Sequence, residues 1–258
     1  MIVLRSESEI ERMRAANQLV SRVLASLEAA VAPGMTTADL DAMAERLVRE
    51  GGAEPAFKGY RGYPATLCAS INEEVVHGIP STSRVLRDGD IISLDMGVKM
   101  GGYFGDSAVT VAVGHVPART QELLRVTRES LEKAIAEVRV GARLSDVGHA
   151  VQAWVEAHGF SIVREFVGHG IGEQLHEEPQ IPNYGQPGRG PKLAAGMVLA
   201  IEPMVALGKP ETRVLADKWT AVTKDGSLAA HFEHTVAVTA AGPLVLTARP
   251  SATLASAR

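Results

Sequence analysis

Cysteine occurs once in these 258 residues, as Cys68. One thiol excludes an intrachain disulfide and any cysteine-rich zinc site, and it suits a reducing compartment. Any metal must therefore be held by His, Asp and Glu. Apolar runs of the roughly 20 residues that cross a bilayer are missing, and Met1–Glu9 lacks the basic and apolar regions of a signal peptide, so a cytoplasmic protein with no membrane partner is expected. Basic charge is not in excess either. The net charge is −4 with interspersed signs, which gives no basic stripe and disfavours sequence-specific nucleic-acid binding. No linker rich in Gly, Pro or Ser divides the chain, so a single catalytic domain over residues 1–258 is expected.

What is present is a 46% apolar composition with two similar passages. Ser6-Glu7-Ser8-Glu9 has the capping-box pattern and opens a helical run that Pro33-Gly34 stops; a second helix runs from near Thr37 to Gly51-Gly52. The same pattern returns as helices over about 118–138 and 145–158. Laid over one another at an offset of 107, Gly34 falls on Gly141, Asp39 on Asp146 and Gly52 on Gly159. Two duplicated halves follow, about 6–113 and 114–245, with 251–258 a frayed polar tail.

Asp95 and Asp106 flank a turn-like segment, Lys99-Met100-Gly101-Gly102, each beside or within a strand-like stretch. A hairpin centred between Met100 and Gly101 would set the two aspartates opposite each other. Opposed carboxylates in a buried place need a positive charge between them; on an exposed hairpin they cost only tenths of a kcal/mol, so both a metal site and a solvated hairpin remain open. The offset of 107 carries Asp95 onto Glu202, at the end of the apolar run Gly196–Ile201. Glu233 lies in a strand-like segment, His231–Val238, expected to pair with the strand carrying Glu202 and to repeat the Asp95/Asp106 hairpin. His169, inside Gly168-His169-Gly170-Ile171-Gly172, suits a ligand or a phosphate loop, or a hydrogen-bonded core histidine. Four carboxylates and an imidazole exceed what one ion uses. Two divalent ions roughly 3.5 to 4 Å apart, sharing a water, would use them all in metal-assisted hydrolysis; mostly oxygen donors favour Mn, Fe or Co, with Zn also able to bind.

His77, before Gly78-Ile79-Pro80, and His176, before Glu177-Glu178-Pro179, read either as substrate contacts near the metals or as loop histidines. His231 and His234 flank Glu233 in supporting or packing roles.

At these motifs the chain resembles the short bacterial type I methionine aminopeptidases, from about Ser6 to Val245. The resemblance rests on Ser70-Ile71-Asn72-Glu73 with His77-Gly78-Ile79-Pro80, on Asp95 and Gly105-Asp106, on Gly168–Gly172 with His176–Pro179, and on Ile201-Glu202-Pro203-Met204 with Glu233-His234-Thr235. It implies an α+β pita-bread fold, with a curved antiparallel sheet covered by helices. It implies metal ligands Asp95, Asp106, His169, Glu202 and Glu233, with Asp106 and Glu233 bridging, Asp95 on one ion, and His169 and Glu202 on the other. It implies removal of N-terminal methionine when the second residue is small: His176 steadies the oxyanion, His77 meets the leaving nitrogen, and Glu202 handles the water proton. Tyr60, Tyr63, Cys68 and Trp219 match the methionine slot, with Leu175 where many relatives carry an aromatic residue. Methionyl peptides and nascent chains, at the ribosome, are the implied partners; a monomer is expected separately, because nothing in the sequence resembles a dedicated dimer strip. An aminopeptidase P or prolidase, or a binding protein on the same fold, are the competing readings.

Overall fold

The computed structural model describes residues 1–249; the expected tail at 251–258 lies outside the described residues. Helix α1 (Glu7–Ala30) starts where both halves of a capping box form: Ser6 Oγ accepts from the Glu9 amide at 3.3 Å and the Glu9 carboxylate accepts from the Ser6 amide at 2.8 Å. Thr36 and Asp39 repeat the arrangement before α2 (Thr37–Glu50). Each satisfies amides that the helix leaves orphaned, worth about 1 kcal/mol. Helices α3 (Ala118–Ala136) and α4 (Leu144–Ala157) follow in the second passage.

Each helix pair packs on its own antiparallel sheet. Leu24, Leu27 and Leu40 are buried against Leu67, Leu94 and Met96 of a four-stranded sheet. Leu123, Val126, Val147 and Val151 share a core with Leu199, Ile201 and Val236 of a five-stranded one. This mixed helix and antiparallel-sheet architecture agrees with the expected fold class.

The long hairpin pairs the Ile91–Met100 and Tyr103–Ala112 strands in a register different from that expected. Its turn is Gly101-Gly102, at φ 58° and 86°, and Met100 pairs with Tyr103. A two-residue turn of this kind needs two central residues in the left-handed region; glycine supplies both, whereas centring the turn one residue earlier would force Met100 there. Asp95 therefore pairs with Ala108, and Asp106 with Gly97. The aspartates are not opposed. They are diagonal neighbours on one face of the ladder, still within reach of a shared ligand.

Glu202 and Glu233 take the expected facing arrangement, which the Asp95/Asp106 hairpin does not. The Val198–Ile201 strand pairs with His234–Thr239, and Met204–Ala206 pairs with Ala229–His231. The register is the same on both sides of the interruption, His234 with Ile201 and Met204 with His231, so Glu202 and Glu233 face each other across it. Pro203 explains the gap, because it has no N–H to give the ladder.

The two sheets meet at one bridge, Ala108 with Glu233. Around it, Thr110 Oγ1 donates to the His231 carbonyl at 2.7 Å and Thr235 Oγ1 to the Asp106 carbonyl at 2.8 Å, while Ser107 Oγ donates to the Glu233 carbonyl at 2.6 Å. Buried hydroxyls thus satisfy carbonyls where a regular ladder stops. The seam fixes the backbone beneath Asp106 and Glu233.

Candidate active site

Above the seam lies a cavity of about 160 Å³. Every residue expected at the site lines it: Asp95, Asp106, His169, Glu202 and Glu233, then His77 and His176, then Tyr60, Tyr63, Cys68, Leu175 and Trp219. Phe57 and Arg61 line it as well and were not anticipated. Arg61 is the one Lys or Arg on that lining among the described residues.

His169 reaches the cavity from the short central strand Gly168–Gly170, hydrogen-bonded on both sides. The flanking glycines are required by contact. A Cβ on Gly168 would lie 2.4 Å from the Ala200 carbonyl oxygen, and one on Gly170 2.2 Å from that of Glu178. His169 Nδ1 meets the Gly170 carbonyl at 2.8 Å, which leaves Nε2 for the cavity, and a ligand atom each from Asp106, His169 and Glu233 lie within 4.8 Å of one another. Glu202 sits beside this trio, its Oε1 3.6 Å from His169 Nε2. Asp95 lines the same space from the neighbouring position on its ladder.

Asp95 Oδ1, Asp106 Oδ1 and Glu233 Oε1 are buried with no hydrogen-bond partner, each an uncompensated cost of about 1–3 kcal/mol. Burial pushes the Asp95 pKa up to about 7; burial, and then the charge of its carboxylate neighbours, holds Asp106, Glu202 and Glu233 well above the usual range. Burial also lowers His169 to about 3 and His77 to about 4, so both imidazoles are neutral and one nitrogen of each is free to accept. Four carboxylates that resist ionising together, beside a neutral imidazole, form a donor set for divalent cations. The residues present fit that group.

The rest of the cavity is a slot. Tyr63 Oη donates to the Leu67 and Gly78 carbonyls at 3.0 Å each, so its ring, not its hydroxyl, faces inward, edge-on to Trp219 at 5.1 Å. An Asp217 turn projects Trp219: Asp217 Oδ1 accepts from the Trp219 and Thr220 amides at 2.9 Å. Cys68 is buried and its thiol pKa is pushed up by that burial, making it an apolar wall. Leu175, 1% exposed, completes the lining.

His77 takes a left-handed backbone, φ 62°, at the end of the Glu74–Val76 strand, and its ring stands edge-on to Phe166 and Trp219. His176 is held through Nδ1 by Tyr60 Oη at 2.9 Å, and its ring lies 4.2 Å from that of His169. One further support gave no signal in the sequence. Arg5, its side chain only 5% exposed, donates to both oxygens of Glu177 at 2.6 and 2.9 Å and packs on Gly172, where a Cβ would meet the guanidinium at 2.4 Å. It anchors the segment that carries Leu175 and His176.

Metallopeptidase family M24 matches residues 11–240. A methionine aminopeptidase of Clostridium acetobutylicum is 52% identical over 96% of this chain and 99% of its own. The crystal structure of a Thermotoga maritima methionine aminopeptidase superposes with a TM-score of 0.94 at 49% identity, over 96% of this chain and 99% of that one. A prolidase from Pyrococcus furiosus shares the fold alone, with a TM-score of 0.77 at 21% identity; this chain covers 66% of its length. Near-complete coverage at half identity, and a cavity whose donors suit cations, make this chain a member of metallopeptidase family M24, among the methionine aminopeptidases.

Proposed function

We propose that the chain removes the N-terminal methionine from polypeptides, preferentially when the second residue is small, with two divalent ions held by Asp95, Asp106, His169, Glu202 and Glu233. The observation that carries this reading is the meeting, in one cavity, of partnerless buried carboxylates and an apolar slot. Asp106 and Glu233, on either side of the seam, would be shared by both ions, Asp95 would serve one and His169 with Glu202 the other. The ions, Co, Mn, Fe or Zn, supply an acidified water and a polarised carbonyl when bound.

The chain's own residues do the rest. Tyr63, Cys68, Leu175 and Trp219 take the methionine side chain out of water, and leucine contacts a thioether without difficulty. Tyr60 fixes the His176 ring, leaving Nε2 to donate to the oxyanion that develops at the scissile carbonyl. Neutral His77 hydrogen-bonds the amide nitrogen on the leaving side. Glu202 takes the proton of the attacking water and passes it to the leaving amine. Nascent chains in the cytoplasm, at the ribosome, are the proposed substrates of a monomeric enzyme; no helix among the described residues is long and apolar enough to cross a membrane.

Hydrolysis of Met-Ala-Ser, Met-Lys-Ser and Ala-Pro-Ser by protein loaded with Co or Mn tests this directly. Cleavage of Met-Ala-Ser alone is expected. Equal rates on Met-Ala-Ser and Met-Lys-Ser would remove the second-residue preference, and cleavage of Ala-Pro-Ser alone would transfer the chain to the prolidase reading.

A further inference from the structure

His231 is the most completely buried imidazole near the cavity, 1% exposed, and neither ring nitrogen has a hydrogen-bond partner. Its backbone is fully engaged: the amide donates to Thr110 Oγ1 at 2.8 Å and the carbonyl accepts from the same hydroxyl at 2.7 Å. The ring alone is left over. Its Nε2 lies 3.8 Å from Glu202 Oε2, while the other oxygen of that carboxylate lies 3.6 Å from His169 Nε2. Glu202 thus stands between two imidazoles, one on each oxygen.

The seam explains why His231 points there. Around the Ala108–Glu233 bridge, Thr110 serves the His231 carbonyl as Thr235 serves that of Asp106. The pattern reads the same from either sheet, with Asp106 and His231 in exchanged places. Two residues from Glu233, His231 also shares its side of the strand by the alternation of extended chain. His231 thus stands behind the cavity lining, on the three-stranded sheet of Ala229–His231, Met204–Ala206 and Ser161–Ile162, with its ring toward Glu202.

We propose that His231 is a positioning residue of the metal centre: its Nε2–H, 3.8 Å from Glu202 Oε2, is the donor for that oxygen in the ion-loaded protein, where it orients the carboxylate and raises the affinity of the ion that Glu202 and His169 would hold. This inference rests on the functional reading above and deepens it. A buried imidazole packed only for volume would leave both nitrogens paired elsewhere or replaced by carbon. Here Nε2 lies 3.8 Å from an oxygen of a carboxylate that the centre must hold still, and hydrogen bonds from outside the ligand set of this kind change metal affinity by roughly 10- to 100-fold.

Three variants separate the roles. Glutamine places an amide near Nε2, asparagine near Nδ1, and leucine removes both donors. Apo-protein from each would be titrated calorimetrically with Co²⁺ or Mn²⁺, with the cobalt absorption spectrum and the melting temperature of the apo form recorded alongside. The expected result is that His231→Gln binds two ions within a few-fold of the wild type, while His231→Asn and His231→Leu lose roughly 10- to 100-fold on one ion only and shift the cobalt spectrum, with apo melting temperatures no lower than that of the wild type. Wild-type affinity and spectrum in His231→Leu, or equal losses in the asparagine and glutamine variants, would overturn the inference alone; should the leucine variant not fold, the asparagine and glutamine pair decides it. Failure of the wild type itself to take up an ion would overturn the functional reading, and this inference with it.

Discussion

Replacing Asp95 by asparagine is expected to stabilise the metal-free protein while destroying its metal centre. Burial raises the Asp95 pKa from 3.8 to about 7, so between those values the unfolded chain has released a proton that the folded protein still holds. Stability of the apo-protein therefore falls as pH rises across that window and stays low above it. At about 1.4 kcal/mol per pKa unit the penalty is about 4 kcal/mol by pH 8; for a chain of this size that is about 10 °C in melting temperature. Asparagine carries no charge at any of these pH values, and it also relieves the repulsion on Asp106, Glu202 and Glu233. Thermal unfolding of chelator-treated protein at pH 4.5 and pH 8 is the assay. The variant should exceed the wild type by only about 1 kcal/mol at the lower pH and by about 4 kcal/mol at the higher. Adding divalent ion at about 100 times its dissociation constant should raise the wild type by about 2.7 kcal/mol per site and the variant by less. A wild-type apo-protein whose stability is flat from pH 4.5 to 8, or a variant less stable than it at pH 8, would refute the argument that these carboxylates are buried for a cation.

Other perturbations probe the walls of the cavity. Tyr60→Phe removes the 2.9 Å bond to His176 Nδ1, worth about 1 kcal/mol, and should lower kcat/KM on Met-Ala-Ser about 5-fold with metal affinity unchanged by calorimetry. Arg5→Ala leaves Glu177 without its buried partner and frees the Leu175–His176 segment; hydrogen exchange at residues 172–177 should accelerate and kcat/KM fall, and Arg5→Lys should recover part of both. Gly170→Ala drives a Cβ to within 2.2 Å of the Glu178 carbonyl oxygen. It should lower the melting temperature and weaken the ion held by His169, as read by circular dichroism and metal titration.

Much of this arrangement was legible in the sequence because it rests on local rules. The capping box at Ser6 and Glu9, the helix stop at Pro33-Gly34, and the glycines around His169 each state a backbone requirement within a few residues. The carboxylates announced themselves by standing at the ends of apolar runs. Register was the part misread. Whether Asp95 faces Asp106 depends on which two residues make the turn, and a run of Met100, Gly101 and Gly102 leaves that to the positive φ that both glycines adopt. Opposition belongs instead to Glu202 and Glu233, where Pro203 breaks the ladder. Arg5 was illegible as support for the site, and His231 legible only as a flank of Glu233 in a supporting or packing role, for a different reason. Arg5 joins it through Glu177, far along the chain, and His231 through a seam that only the folded sheets create.

The central claim is that these buried carboxylates exist to hold the ions of a methionine aminopeptidase, and Asp106, beside the seam and close to both His169 and Glu233, is the ligand whose loss tests it best. The measurement is the rate of Met-Ala-Ser hydrolysis during a Co²⁺ or Mn²⁺ titration of chelator-treated protein, wild type against Asp106→Ala. The wild type should rise from no turnover to a plateau as ion is added, and the variant should show no turnover at any ion concentration. A variant that reaches the wild-type plateau, or wild-type turnover indifferent to added ion, would contradict the account.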